Sequence, residues 1–239
     1  MRMGHAVSAR ELTLLTDGRV ELLGRIMSGS NATFLAEVSC EGDSAWAVYK
    51  PEAGERPLVD FDAGLYRREC AAFQLSEALG WGMVPPTVVR ADAPLGVGSL
   101  QWFIEGDHQE HYFTLYADAP ETHDDLARMA LFDYVANNTD RKSGHVLRGT
   151  DGRIWGIDHG LCFSAAFKLR TVIWDFAGDP IPDHLLEDIR PLAGAVPAEV
   201  AGLLHPAEVA ALQRRVQHLL RDMVLPVDHT GMRYPWPLV

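Results

Sequence analysis

Apolar residues recur with a period of two through much of the first half of the chain. Residues 10–27 alternate between apolar and polar side chains around a turn at residues 16–19, which predicts two strands. Apolar runs bounded by glycine, proline or polar turns predict further strands at residues 34–38, 45–51, 84–89 and 98–104. A helical spacing at residues 63–79 predicts one helix among these strands.

The second half of the chain has mainly a helical period. The pattern predicts helices at residues 123–136, 183–192 and 206–223 and one short strand at residues 154–157. The first of these helices is apolar nearly all round, so we expect it to be buried and to hold the polar loop that follows it. Residues 105–119 are polar and predicted to be irregular, and we place the boundary between residues 1–105 and 106–239 there.

The composition is that of an ordinary globular protein, with 47% hydrophobic and 23% charged residues among 239. No apolar run approaches the about 20 residues that span a bilayer, and the first residues lack the continuous apolar segment of a secretory signal. The three cysteines, Cys40, Cys70 and Cys162, are far apart and predict reduced thiols. We therefore expect a cytoplasmic protein.

The formal net charge of −12 limits the partners of the chain. It repels nucleic acid and anionic lipid, and no run of four or more basic residues offsets it. We expect no nucleic-acid partner and no stable association with a membrane. A nucleotide remains possible, because a few local cations and a metal ion can hold one.

Two charged residues in apolar settings are candidates for one ion pair. Lys50 shares a strand face with Trp46 and Val48, and Glu69 falls on the apolar stripe of the helix at residues 63–79. Each residue would satisfy the other. The alternatives are a lysine that reaches water at the strand end and a glutamate that pairs locally with a neighbouring arginine.

Asp140 and Asp158 are candidates for chemistry. Asp140 lies in the polar loop after a buried helix, and Asp158 ends the short apolar strand and is followed by His159 and Gly160. A loop acid followed by a strand-end acid is the order found at phosphoryl-transfer sites, where one orients the acceptor and the other holds a metal. The alternative is two ordinary turn aspartates.

Residues 28–33, SGSNAT, connect two predicted strands through small side chains. Such a loop lets the backbone approach a phosphate closely, and it is also compatible with a plain hairpin turn.

In chain order these stretches resemble a known family. They are SGSNATF, VYKP, RRECAAFQLSEALG, GWGMVPPTVV, NNTDRKSGHVL and WGIDHGLCF. The chain resembles the phosphatidylinositol 3-/4-kinase superfamily, nearest its type II phosphatidylinositol 4-kinase branch, and small actinobacterial proteins assigned to that superfamily. The resemblance implies an α+β, two-lobed protein-kinase-like fold with a small N-terminal antiparallel β lobe and a mainly helical C-terminal lobe.

The resemblance also implies ATP with Mg²⁺ or Mn²⁺ as cofactors and a role for each matched residue. Asp140 is the catalytic aspartate, Arg141 supports its loop and Asp158 holds the metal. The nucleotide contacts are expected from the phosphate loop, the lysine and its partner, and the linker at residues 101–105 that meets an adenine ring: Ser30, Asn31, Ala32, Lys50, Glu69, Gln101 and Phe103.

One position departs from the family pattern. The family has Asn, a second metal ligand, five residues after the catalytic aspartate, and this chain has His145 there. An imidazole is a softer ligand than an amide oxygen, and Mg²⁺ prefers oxygen. Three outcomes stay open: His145 binds Mn²⁺ or another transition ion, it contacts a phosphate as a cation, or the site holds a single metal.

The leading functional hypothesis is an ATP-dependent phosphotransferase whose acceptor is a protein, a metabolite or an inositol compound. A small positive patch near the acceptor is predicted from Lys142, Arg148, Lys168 and Arg170. The alternatives are a nucleotidyl (AMP) transferase, a nucleotide-binding pseudokinase that acts as a regulatory partner, and a structural protein without a site.

Overall fold

The computed structural model describes residues 9–27 and 31–239. The strands of the first half are Arg19–Ile26 (β1), Thr33–Cys40 (β2), Asp43–Pro51 (β3), Thr87–Arg90 (β4) and Gly98–Trp102 (β5). They form one antiparallel sheet in the order β1-β2-β3-β5-β4. Two helices accompany the sheet, Ala9–Asp17 (α1) and Leu65–Ala78 (α2).

The second half combines a small antiparallel sheet with five helices among the described residues. The strands, which pair in chain order, are Gly106–His111 (β6), Val146–Gly149 (β7) and Ile154–Gly156 (β8). The helices are Tyr112–Asp118 (α3), His123–Ala136 (α4), Asp183–Ile189 (α5), Ala198–Ala201 (α6) and Pro206–Asp222 (α7). None of the described helices combines the length and apolar character that crossing a membrane demands.

The strand predicted at the start of residues 10–27 is wrong, because that segment forms α1. Leu14 and Leu15 are adjacent and both buried, whereas a strand would point them to opposite faces. On a helix, neighbours lie about 100° apart and share one broad face. The helix ends where the Gly18 N–H donates to the Leu14 carbonyl at 3.0 Å, and a Cβ at Gly18 would lie 2.3 Å from that oxygen.

The irregular segment predicted at residues 105–119 is also wrong, because it forms β6 and α3. β6 is polar, none of its residues is buried, and it pairs with β7 only at its two ends. Its sequence therefore carries no apolar alternation. α3 has seven residues and buries only Tyr112 and Leu115, which is too few to reveal a helical period. The predictions at residues 63–79, 123–136 and 206–223 are confirmed by α2, α4 and α7.

Two hydrophobic clusters hold the elements together. The smaller one lies between α1 and the first sheet. The larger one joins α2 to the second half of the chain, with Phe73 and Leu75 of α2 in the same cluster as Phe132 of α4 and Leu212 of α7. α2 packs on the helices of the second half, while β3 belongs to the sheet of the first half. Contacts between α2 and β3 therefore lie where the two halves join.

Candidate active site

Lys50, Glu69 and Asp158 meet where the two halves join. Lys50 projects from β3, and its Nζ forms a close ion pair with Glu69 Oε1 on α2 and lies 2.8 Å from Asp158 Oδ1, just beyond β8. Burial alone would lower the pKa of Lys50, but the carboxylates of Asp158 and Glu69 outweigh burial and hold that pKa above its usual range. Lys50 is therefore a fixed cation.

Glu69 is 2% exposed and serves a second segment. Its Oε2 accepts a hydrogen bond from the His159 backbone N–H at 2.9 Å, so one buried carboxylate positions both Lys50 and the residue after Asp158. Burial raises the pKa of Glu69, and Lys50 partly offsets that rise. A Cβ at Gly160 would lie 3.3 Å from Glu69 Oε1, so a small residue suits this close approach.

Asp158 sits in an unusual backbone conformation. Its φ is 59°, in the left-handed region that few residues other than glycine and the short polar residues adopt. His159 beside it is fully buried, while the side chain of Asp158 is 49% exposed. Burial raises the pKa of Asp158, but the charge of Lys50 outweighs burial and holds that pKa well below its usual range. Asp158 is thus a permanent carboxylate directed to accessible space.

A buried arginine links the two acidic segments. The fully buried guanidinium of Arg141 forms an ion pair with Asp133 of α4 at 2.9 Å. It also donates to the carbonyls of His145, at 3.0 Å, and Ile157, at 2.9 Å, and it contacts His159 Nε2 at 2.8 Å. The loop that carries Asp140 and the segment that carries Asp158 are therefore held by one side chain.

Asp140 faces a more local environment. Its backbone N–H donates to Asn138 Oδ1 at 3.0 Å, and its carboxylate lies 3.3 Å from Lys142 Nζ. Burial raises the pKa of Asp140, and Lys142 partly offsets that rise. A partly buried carboxylate with a raised pKa is a better proton acceptor than a free aspartate.

His145 connects the two acids. Its Nδ1 lies 3.0 Å from the Asp140 carbonyl oxygen, which only accepts, so Nδ1 carries the proton. The Lys142 N–H lies 3.5 Å from the same nitrogen, and we assign the tautomer from the shorter contact. Burial lowers the pKa of His145 to about 4 despite the attraction of Asp158, so the ring is neutral. Its Nε2 then presents a lone pair 3.4 Å from Asp158 Oδ2.

Other predicted residues lie outside this group. Ser30 lies outside the described residues, Asn31 Oδ1 accepts from the Arg56 N–H at 2.9 Å, and the Ala32 N–H donates to the Gly54 carbonyl at 2.9 Å. The described part of the phosphate loop is thus tied to the turn that follows β3.

The linker side chains contact protein groups. The buried amide of Gln101 donates to Thr87 Oγ1 at 2.9 Å. The ring of Phe103 packs edge-on against Trp46 with 5.8 Å between centroids, and its N–H donates to the Trp46 carbonyl at 3.1 Å. Their predicted contact with adenine stays a prediction.

Three of the four basic residues predicted as one patch have separate acidic partners, and Arg170 forms no ion pair with any described residue. Lys142 pairs with Asp140, Arg148 with Glu110 and Glu121, and Lys168 with Asp60. Lys142 is therefore the member of the set that contacts a candidate catalytic residue.

Asp133 and Asn138 support the candidate site at positions that the sequence did not single out. Asp133 is fully buried and binds Arg141, while Asn138 donates to Asp133 Oδ1 at 3.0 Å. A signal was present, because an acid inside a helix that is apolar nearly all round requires a buried partner.

Comparison with known proteins identifies the family of the chain. The sequence model of the family Phosphatidylinositol 3- and 4-kinase matches residues 72–218, which is more than half of the chain and includes Asp140, His145 and Asp158. The chain belongs to the phosphatidylinositol 3- and 4-kinase family. The predicted superfamily is confirmed, and membership of the type II branch stays a prediction.

Alignments with individual proteins cover more of the chain than the family model does. Protein Rv2133c of Mycobacterium tuberculosis (strain ATCC 25618 / H37Rv) is 40% identical over 264 aligned positions, which cover 95% of each chain. The crystal structure of the Golgi casein kinase with Mn/ADP bound matches 96% of this chain and 80% of its own, with a TM-score of 0.58 and 15% identity. The structure of hydra Fam20 with sugar matches 91% and 89%, with a TM-score of 0.59 and 12% identity. The two-lobed α+β kinase-like fold is thereby confirmed.

Proposed function

We propose that the protein is an ATP-dependent phosphotransferase that binds its nucleotide between the sheet-rich first half and the helical second half. The observation that carries the proposal is the 2.8 Å contact between Lys50 Nζ and Asp158 Oδ1, two residues 108 positions apart. A cation for phosphate and a carboxylate for metal converge there, beside the loop that carries Asp140. One bound triphosphate with its metal is of a size to touch all three.

Each residue of the group has a proposed role. Lys50, held by Glu69, neutralises phosphate charge on the nucleotide. Asp140 accepts the proton of the acceptor hydroxyl, for which its raised pKa suits it. Arg141 touches no reacting atom in this scheme, and it positions the segments of Asp140 and Asp158.

The donor atoms of Asp158 and His145 fit one divalent cation. An unprotonated Nε2 and a carboxylate oxygen lie 3.4 Å apart with no proton between them, which is the relation of two ligands to one ion. The Nδ1 hydrogen bond to the Asp140 carbonyl fixes the ring for that role. No group of three or more His, Cys, Asp or Glu side chains in the described chain forms a metal cage, so phosphate oxygens and water would complete the coordination. A bound metal supplies charge neutralisation on the phosphates.

A nitrogen ligand predicts that Mn²⁺ supports nucleotide binding better than Mg²⁺ does. The His145→Asn variant restores an oxygen ligand, so we expect its ratio of Kd values for ATP in Mg²⁺ and in Mn²⁺ to fall by about tenfold. Isothermal titration of both proteins with ATP in each metal measures that ratio. An unchanged ratio would remove His145 from the metal site.

Acceptors of three kinds remain candidates: a protein side chain, a small metabolite and an inositol compound. The Golgi casein kinase, by its name, acts on a protein, and the name of the family points to an inositol lipid. Both acceptor types therefore belong in the first assay.

The decisive experiment follows label from γ- or α-³²P-ATP, with Mg²⁺ and Mn²⁺ compared and with casein, myo-inositol and phosphatidylinositol in detergent micelles as acceptors. We expect transfer of the γ-label only. Asp140→Ala and Asp158→Ala should each abolish transfer, and only Asp158→Ala should strongly weaken metal-dependent ATP binding.

The other outcomes identify the competing functions. Transfer of the α-label would make the protein a nucleotidyl transferase. ATP binding without transfer to any acceptor, or to the chain itself, would favour a nucleotide-binding pseudokinase that regulates a partner. Absence of ATP binding would refute a nucleotide site.

A further inference from the structure

A large cavity lies beside the candidate active site. Its volume is about 1430 Å³, and none of Lys50, Glu69, Asp140, His145 and Asp158 lines it. The walls come from the end of α2, the linker after β5, the β7–β8 hairpin and the start of α5. Pockets for small molecules usually measure ~300–1,000 Å³, so this space suits an extended peptide segment. We call it the tryptophan cavity, after the four tryptophans that line it: Trp46, Trp81, Trp102 and Trp155.

Aromatic rings are concentrated in the tryptophan cavity. Its four tryptophans are four of the six in the whole chain, and Phe103 lies among them. The side chain of Trp46 is half exposed although it packs against Phe103. Indole faces attract cations. Arginine suits an indole face better than lysine does, because its planar guanidinium stacks on the ring.

The charge of the tryptophan cavity favours the same ligand. Eight acidic side chains and three arginines line it. All three arginines are already engaged, Arg10 with Asp43, Arg128 with Asp125, and Arg153 with Trp155. By contrast, Glu77, Glu105 and Asp124 form no ion pair with any described residue.

The chain itself supplies an example of the recognition. The guanidinium of Arg153 lies 4.0 Å from the centre of the Trp155 ring and donates a hydrogen bond to the Gly82 carbonyl oxygen. The cavity wall thus already binds one arginine, through the face of the Trp155 ring and a backbone carbonyl. Further rings and unpaired carboxylates beside it provide the same kind of partner for arginines from outside.

We infer that the tryptophan cavity binds an arginine-rich segment of another protein. Guanidinium groups stack on the indole rings, and Glu77, Glu105 and Asp124 pair with their charge. Lys50, Glu69, Asp140, His145 and Asp158 do not line this cavity, and only the linker around Phe103 borders both it and the predicted adenine position. Arginine binding can therefore be measured independently of transfer activity.

The probe is fluorescein-labelled octa-arginine, and its binding to the full chain is measured by fluorescence anisotropy. The salt concentration is ~150 mM, where the Debye length is about 8 Å, so distant charges contribute little to binding. The cavity variant Glu77→Gln/Glu105→Gln/Asp124→Asn is expected to raise the Kd by about tenfold or more. The matched control, Glu21→Gln/Glu41→Gln/Glu199→Gln, removes three exposed carboxylates that do not line the cavity and should change the Kd less than about twofold.

Two further variants separate rings from charge and one site from the other. Trp46→Leu should raise the Kd for octa-arginine by about threefold, and octa-lysine should bind the native chain more weakly than octa-arginine. Asp140→Asn/Asp158→Asn removes acids of the candidate active site and should leave the Kd unchanged. Thermal unfolding of every variant confirms that it is folded.

The inference is overturned if octa-arginine does not bind, if cavity and control variants weaken binding equally, or if the Asp140→Asn/Asp158→Asn variant loses binding. Equal affinity for octa-lysine and octa-arginine, with no effect of Trp46→Leu, would overturn the role of the rings.

Discussion

Asp133 is the residue on which the alignment of the two acidic segments depends. Arg141 reaches both segments, and Asp133 is the carboxylate that pairs with its buried guanidinium. A buried ion pair of this kind adds little net stability, but loss of one partner leaves an uncompensated charge. The role of Asp133 is therefore to hold Arg141 in one orientation.

Asp133→Asn should lower the free energy of unfolding by about 3–5 kcal/mol, because the Arg141 charge is then buried without an anion. The control is Asp125→Asn on the same helix, which breaks the partly exposed pair with Arg128 and should cost less than about 1 kcal/mol. Urea unfolding of the three proteins gives both values. Equal costs would mean that Arg141 does not depend on Asp133.

Residue-level predictability depended on whether an anomaly stood out. Lys50 and Glu69 were two charges on apolar faces, and one ion pair satisfied both; that pair is present in the structure. Asp133 is the same kind of anomaly within α4, but its partner Arg141 lies in the loop after the helix, and no sequence pattern connects the two residues. The tautomer of His145 depends on the Asp140 carbonyl, whose direction no sequence pattern reveals.

At the scale of elements, β8 and α4 approach each other closely beside the candidate site. The Gly156 N–H donates to the Met83 carbonyl at 2.8 Å, and a Cβ at Gly156 would lie 2.7 Å from Met129 Sδ and 3.4 Å from Arg141 Nη2. Met129 is buried, so it has little room to yield. The absence of a side chain at Gly156 lets Asp158 follow directly from a strand packed on α4.

Gly156→Ala should therefore destabilise the fold by about 1–3 kcal/mol through overpacking against Met129. Met129→Ala alone opens a cavity and is also destabilising, but in the double variant the new methyl group occupies part of that space. We expect the double variant to lose less than the sum of the two single losses. Gly144→Ala, where a Cβ meets nothing within 4 Å, is the control and should change stability little. Strictly additive losses, measured by urea unfolding, would refute the close contact.

Elements were predictable where their burial repeats over several turns. α4 was predicted to the residue because its apolar side chains run around a whole helix, and α7 because its stripe spans several turns. α1 was mistaken for a strand because a nine-residue helix with an isolated Leu–Thr–Leu spacing mimics alternation. β6 could not be predicted from the sequence pattern, because it forms a strand by pairing with β7 and its own side chains do not alternate.

At the scale of the whole molecule, the candidate site exists only because two differently packed halves meet. Lys50 belongs to the sheet, whereas Glu69 belongs to a helix that shares the larger core with α4 and α7. The order of the motifs along the chain, through the family resemblance, predicts that these residues meet. The tryptophan cavity was not predictable in this way, because segments from α1 to α5 each contribute a few residues to it.

The Lys50–Glu69 pair allows the two halves and the nucleotide to be tested together. Lys50→Met leaves Glu69 buried beside no cation and should lower the free energy of unfolding by about 3 kcal/mol. Lys50→Met/Glu69→Gln removes both charges, while the Gln amide oxygen still accepts from the His159 N–H, so we expect it to recover at least half of that loss.

Native protein should gain about 2.7 kcal/mol of stability from ATP and Mn²⁺ at a ligand concentration a hundred times the Kd. Both variants should gain much less at the same concentration, because the proposed function has Lys50 contact the phosphates. Urea unfolding with and without ligand measures all six values. A double variant as unstable as Lys50→Met would show that the Glu69 charge is not the cause of the loss. A double variant that gains as much from ATP as the native chain would separate Lys50 from the nucleotide, because the restored fold would then bind ATP without its lysine.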